Sequence, residues 1–285
     1  MKPESEGHAV ARLRAERLAA STKPFVARGG AGGRCPDCRL PHAYCVCDLR
    51  PSVATRAGMC LLMGDIEALK PSNTGWLIAD LVSDTWAFAW ARTRVDPRLL
   101  ALLEDPQWQP YVVFPGEFVE ASRVVGEVLP PQAEDGHPRR PLFILLDGTW
   151  TEARKMFNKS PYLSRFPVLS LNPGTVSNYR LRRSTRDDHF CTAEVAALCL
   201  ALAGETRAAE VLGAWLDVFS TQYLQAKRHL RPDRETEAHQ RLGRTRALHA
   251  EPSQLAPDRC REAGEEDVVA VGRQVITIEE QRALS

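Results

Sequence analysis

Residues 142–156 read Leu142-Phe-Ile-Leu-Leu-Asp147-Gly-Thr-Trp150-Thr-Glu-Ala-Arg-Lys-Met156. Five unbroken apolar residues, 142–146, follow Pro141 and stop at Asp147-Gly148, after which Trp150, Ala153 and Phe157 mark a helical face. A short run that is apolar on every side predicts a central parallel strand covered on both faces, so the stretch reads as strand, turn and helix. In open α/β sheets the ligand crevice lies beyond the carboxyl ends of the strands, which puts Asp147, Thr149 and Trp150 where chemistry usually occurs. The same residues also have a plain structural reading: Asp-Gly is a common turn, Thr149 can cap a helix and Trp150 can be core.

Working outward, 59–63 is an apolar run suited to a strand, and the turn material Lys70-Pro-Ser-Asn-Thr-Gly75 precedes a predicted helix over 76–82. Residues 85–91 alternate Trp86, Phe88 and Trp90 with small residues, the period of a strand whose tryptophans belong to a core. Residues 111–114 make another short strand, 118–128 is predicted as a helix and 130–141 is a polar, proline-rich loop. A further strand is predicted over 168–171, and Thr192 opens an apolar helix over 193–203. Strands that alternate with helices in this way argue for an α/β domain with a mostly parallel sheet.

The 285 residues, 44% hydrophobic and 26% charged, suit a soluble globular chain of one large or two small domains. With 37 Lys and Arg against 36 Asp and Glu, the net charge of +1 creates no overall field for a polyanionic partner. The distribution is uneven. Residues 223–249 hold seven Lys or Arg against three acids, and 250–285 hold eight acids against four Arg. No apolar run approaches the ~20 residues of a membrane span, and residues 1–21 lack an apolar signal segment, so a cytoplasmic protein is expected.

Residues 1–33 divide into a short basic helix over 10–20 and a glycine-rich linker, and are expected to form a flexible extension. Next comes Cys35-Pro-Asp-Cys38-Arg-Leu-Pro-His-Ala-Tyr-Cys45-Val-Cys47, which packs four of the eight cysteines into thirteen residues. Without a secretion signal, such a cluster holds metal more often than disulfides, and two close pairs supply the four soft ligands of a tetrahedral zinc ion. With all four positions filled by protein, a structural zinc is expected rather than a catalytic one. Cys60, Cys191, Cys199 and Cys260 are scattered and read as small buried hydrophobes.

A second constellation spans Ser177-Asn-Tyr179-Arg180-Leu-Arg182-Arg183, then His189-Phe-Cys-Thr192-Ala-Glu194. It combines a stacking ring with fixed cationic forks, which suits phosphate or carboxylate recognition, although Asp187, Asp188 and Glu194 could equally neutralise those arginines on a solvated face. An anion could also sit at the helix start near Thr192.

Taken together, Asp147-Gly-Thr149-Trp150, Ala153-Arg154-Lys155-Met156, Ser177-x-Tyr179-Arg180-x-Arg182 and Thr192-x-Glu194 resemble the DTW-domain family, as do the four-cysteine cluster and the 70–75 stretch. The resemblance covers roughly residues 35–222. It implies a SPOUT-like α/β fold with a carboxy-terminal knot, and a tRNA-uridine aminocarboxypropyltransferase that uses S-adenosylmethionine on, in bacterial members, the variable-loop uridine. On that basis 34–50 is a zinc module and 51–222 the catalytic domain; beyond the resemblance, the charge pattern makes 223–249 a basic segment, either for tRNA phosphates or simply a solvated helix, and 250–285 an acidic tail expected to be flexible. The catalytic candidates are Asp147, Thr149 and Trp150, and the donor-binding candidates are Ser177, Tyr179, Arg180, Arg182, Thr192 and Glu194. Two other readings use the same residues: a SPOUT-type RNA methyltransferase, and a non-catalytic zinc-containing RNA-binding protein.

Overall fold

A computed structural model of the chain describes residues 7–22, 25, 33–128, 133–134, 137–171 and 190–247. Its strands are β1 (Gly58–Met63), β2 (Thr85–Ala89), β3 (Trp108–Val113), β4 (Val124–Val125), β5 (Ala133–Glu134), β6 (His137–Pro138), β7 (Arg140–Asp147) and β8 (Val168–Leu169). The helices are α1 (Ala9–Ala19), α2 (Gly75–Leu81), α3 (Pro97–Glu104), α4 (Trp150–Asn158), α5 (Thr192–Leu202), α6 (Thr206–Lys227) and α7 (Glu237–Ala247).

Six strands form one sheet in the order β2-β1-β7-β3-β8-β4, with every pairing parallel. The predicted central strand lies inside it as β7, between β1 and β3. Strand alternation then explains its unbroken apolar run: Phe143 and Leu145 enter a core built with α1, α2, α5, α6 and α7, while Leu142 and Ile144 enter one built with α3 and α4. Both faces are covered, as a parallel sheet requires. From β1 the chain moves outward to β2, and from β7 it crosses the other way to β8, so the carboxyl ends of β1 and β7 flank the topological switch point.

Residues 8–19 depart from the expected flexible extension. The His8 ring caps α1 by accepting from the Ala11 amide, lies 4.4 Å from the Trp76 ring and stands 3.3 Å from the buried Asp80 carboxylate. Val10 and Leu13 are buried, so the helix docks because its few apolar residues share one stripe. The predicted helix over 118–128 is also corrected. It is replaced by short 3-10 turns at Gly116–Phe118 and Ala121–Arg123, followed by β4, where the β-branched pair Val124–Val125 joins β8 as an edge strand. Helix α3 went unpredicted, although Asp96 caps it, Pro97 opens it and Leu99, Leu102 and Leu103 bury one face.

The basic 223–249 segment is part of the domain as far as it is described. It completes α6 and forms α7, whose Leu242 is buried, and it is tied to the cysteine module by Tyr44, which donates to the Leu230 carbonyl at 2.6 Å, and by the Arg234–Asp48 pair. No helix among the described residues is long and apolar enough to cross a membrane.

Gly58 shows how closely the sheet is packed. A Cβ there would stand 2.8 Å from the buried Trp108 ring and 3.2 Å from Leu142. Gly58→Ala should therefore cost about 1–3 kcal/mol, read from the urea midpoint with the m-value unchanged.

Candidate functional site

Asp147 ends β7 with its carboxylate out of water, at 4% exposure. Its Oδ2 accepts from Asn73 Nδ2 at 2.7 Å, and its Oδ1 accepts from the Thr192 hydroxyl at 2.6 Å. Burial raises its pKa above the ordinary carboxylate value; the two hydrogen bonds and Lys70 oppose the rise, and the Glu67 charge adds to it. Asn73 is itself fixed, since its Oδ1 accepts from the Trp76 amide at 3.2 Å. The neighbouring Thr74 hydroxyl accepts from the Ala193 amide at 3.3 Å, so the 70–75 loop joins the end of β7 to the start of α5. Gly75 is required by space, because a Cβ there would lie 2.8 Å from Asp147 Oδ2.

Beside this polar hub is a cleft of about 560 Å³, lined by Phe114, Phe118, Leu146, Trp150, Phe190 and Thr192 among others. Trp150 is 40% exposed, which rules out the core reading. Its ring stacks on Phe114 at 5.5 Å and 10°, and Phe114 stacks on Phe157 at 4.3 Å and 3°. Phe118 leans on Trp150 at 5.4 Å, and the Arg154 guanidinium lies 5.1 Å over Phe118. The wall is a column of aromatic rings with a cation at its edge, a surface suited to a flat heterocycle.

The other sequence candidates separate into three groups. Thr149 caps α4 in a capping box: its hydroxyl donates to Glu152 at 2.6 Å and accepts from the Glu152 amide, while Glu152 also accepts from the Thr149 amide. Glu194 is buried and accepts from the Cys191 amide at 2.7 Å, so it fixes the start of its own helix, and burial raises its pKa. Thr192 lines the cleft and reaches Asp147. Ser177, Tyr179, Arg180 and Arg182 lie outside the described residues. Asn73, Phe114, Phe118 and Phe157 were not singled out for roles from sequence; the 70–75 resemblance was the one available signal for Asn73.

The four module cysteines converge as expected. The sulfurs of Cys35 and Cys47 are 3.5 Å apart, those of Cys38 and Cys45 are 3.7 Å apart, and all four lie within 4.8 Å of one another. Sulfurs bound at ~2.3 Å around a tetrahedral ion stand roughly 3.8 Å from one another, so these residues fit one metal ion. Contact among the thiols depresses the Cys35 pKa and raises those of Cys38 and Cys47, as expected where one thiolate is stabilised by neighbouring S–H groups. Of the scattered cysteines, Cys60 and Cys199 are buried and Cys191 is half-buried, while Cys260 lies outside the described residues.

A family model described as "DTW domain" matches residues 32–224. The chain is 34% identical over 73 residues to the curated tRNA-uridine aminocarboxypropyltransferase 2 of Drosophila melanogaster, a match spanning 25% of this chain and 29% of that protein. No solved structure matches.

Asn73→Ala should remove one donor from the buried carboxylate and cost about 1.5–3 kcal/mol at neutral pH. Because that donor lowers the Asp147 pKa, its loss raises the folded-state pKa further. The stability gap between wild type and variant is thus full above that raised pKa and closes as pH falls through it. Urea unfolding from neutral to acid pH measures the gap, and a gap independent of pH would remove Asp147 as its source.

Proposed function

The chain belongs to the DTW-domain family, and from that premise we propose that it is a tRNA-uridine aminocarboxypropyltransferase with S-adenosylmethionine as donor. In this reading uracil N3 attacks the methionine carbon next to the sulfonium. The new N–C bond forms as the C–S bond breaks, and methylthioadenosine leaves with the sulfur electron pair. The N3 proton must pass to a base. The observation that carries the reading is the junction of the aromatic cleft with the Asp147 hub through Thr192.

Thr192 lines the cleft, and its O–H already points at Asp147. Its oxygen can accept the N3 proton as its own proton moves to the carboxylate, whose raised pKa brings it toward the range useful for a general base. Trp150, backed by Phe114 and Phe157, offers the stacking platform that a splayed base or the donor adenine needs. Thr149 and Glu194 serve by holding the starts of α4 and α5. Ser177, Tyr179, Arg180 and Arg182 supply the donor-binding contacts implied by the family, with an arginine for the donor carboxylate. The four cysteines hold a structural zinc, and the SPOUT-like knotted topology implied by the family and a cytoplasmic place of action belong to the same reading.

The tRNA approaches over the cationic face next to the cleft. Arg154, Lys155 and Lys159 of α4 and its end are exposed, and so are Lys227, Arg228, Arg231 and Arg244 of the 223–249 segment, in which Arg234 and Arg241 are engaged by Asp48 and Asp217. Replacing Arg154, Lys155 and Lys159 together by Ala should raise KM for tRNA across tRNA species and flatten its salt dependence, with KM for the donor unchanged.

The reaction is tested with unmodified tRNA and S-adenosylmethionine labelled either in the carboxyl or in the methyl group. Carboxyl label entering tRNA with methyl label released in methylthioadenosine is expected; methyl label in tRNA would make the protein a methyltransferase, and no label in any tRNA would leave an RNA-binding protein. Thr192→Val should lower kcat by about 10²–10⁴ with folding retained, and Thr192→Ser should restore most of it.

A further inference from the structure

Arg39 follows the second cysteine of the module in a tight turn, its amide donating to the Cys35 carbonyl at 2.9 Å while the Cys35 amide donates to Leu40 at 2.9 Å. Its φ is +64°, a left-handed conformation that glycine adopts freely and that costs other residues on the order of 1–2 kcal/mol. The side chain is also buried, at 4% exposure, and its Nε and Nη2 have no hydrogen-bond partner among the described residues. Backbone strain, a buried charge and unmatched donors all weigh against arginine at a position where glycine would build the same turn.

Its contacts account for the choice. The two N–H groups of Nη1 are shared among three carbonyls of the loop more than thirty residues onward: Lys70 at 3.3 Å, Pro71 at 3.1 Å and Asn73 at 3.0 Å. The guanidinium lies 4.2 Å over the Trp76 ring and 5.3 Å from that of Phe219, so ring faces meet the cation where hydrogen-bond partners are missing. The loop gathered in this way carries Asn73, which holds Asp147, and Thr74, which meets the start of α5.

We propose that Arg39 is a positioning residue that couples metal occupancy of the four-cysteine module to the shape of the Asp147 site. The metal fixes the turn, the turn presents Arg39, and Arg39 holds the 70–73 carbonyls so that the Asn73 amide faces the carboxylate. The coupling deepens the transferase reading, but its primary test needs no activity.

The test is backbone hydrogen exchange on the full-length, zinc-loaded chain, following the Asn73 and Trp76 amides, which donate to the Lys70 carbonyl and to Asn73 Oδ1. Arg39→Gly relaxes the turn while deleting the fork. It should keep one zinc per chain and raise exchange at these amides at least tenfold, with amides of β1 and β7 unchanged. Chelation of zinc from wild type should raise the same amides, and in Arg39→Gly it should add nothing. Arg39→Lys, which keeps the cation without the flat fork, should fall between and serves if the glycine variant does not fold. Unchanged loop exchange in the folded variants, or chelation that loosens the loop equally with and without Arg39, overturns the coupling. With transferase activity in hand, Arg39→Gly should lower kcat but lower it no further in an Asn73→Ala background. Absence of transfer with every tRNA would sink the transferase reading and leave the exchange result to decide this one.

Discussion

The constraint on which the site depends is the burial of the Asp147 carboxylate. An anion taken out of water must be met by donors, and β7 cannot supply them, because its backbone is committed to β1 and β3 on either side. The donors come from Asn73, 74 residues away in sequence, and from Thr192, 45 residues away. One side chain thereby fixes where the β1–α2 connection turns and where α5 begins. Gly75 follows from the same demand, since the loop passes too close to the carboxylate for a Cβ.

The polar hub and the aromatic cleft need different supports. Stacked rings are held by the core beneath them, as Phe114 and Phe157 hold Trp150. A loop of turn residues has little core of its own, and without external contacts the Asn73 donor would wander over several conformations at an entropic cost. The cysteine module meets that need through Arg39, and α6 closes over the other side with Phe219.

What the sequence disclosed follows the range of the interactions. β7 was legible because a strand buried on both faces cannot avoid an unbroken apolar run, and the cysteine module was legible because its four thiols are close in the chain. Thr149 was legible both as a site residue and as a cap, and the hydrogen bonds it makes are those of the cap. The 118–128 stretch misled because Phe118, Val119, Val124 and Val125 give enough apolar residues for a helix, while pairing with β8 is a contact no local pattern reveals. Asn73 and the column of Phe114, Phe157 and Trp150 were out of reach for the same reason: two distant segments, the end of β3 and α4, build the column, and asparagine in a turn looks like any other. Arg39 was hidden because its left-handed backbone and its distant carbonyls appear only in three dimensions.

In the proposed reaction, the donors that make Asp147 tolerable as a buried anion also limit it as a base. Each hydrogen bond to the charged form draws the pKa down while desolvation pushes it up, and desolvation prevails here because both donors are neutral. A lysine or arginine in place of Asn73 would stabilise the charge far better and leave a carboxylate with little affinity for a proton. Neutral donors are the compromise that holds the group in place and keeps its basicity. A carboxylate has about four lone-pair sites, and the two donors leave capacity for a further proton. Asp147 is not among the residues lining the cleft, whereas Thr192 touches both, so in the proposed reaction Thr192 carries the proton between the wet and the buried side of the site. The rigidity of the loop and of the start of α5 therefore sets proton affinity as well as geometry, because a loosened donor changes how strongly the charged form is held.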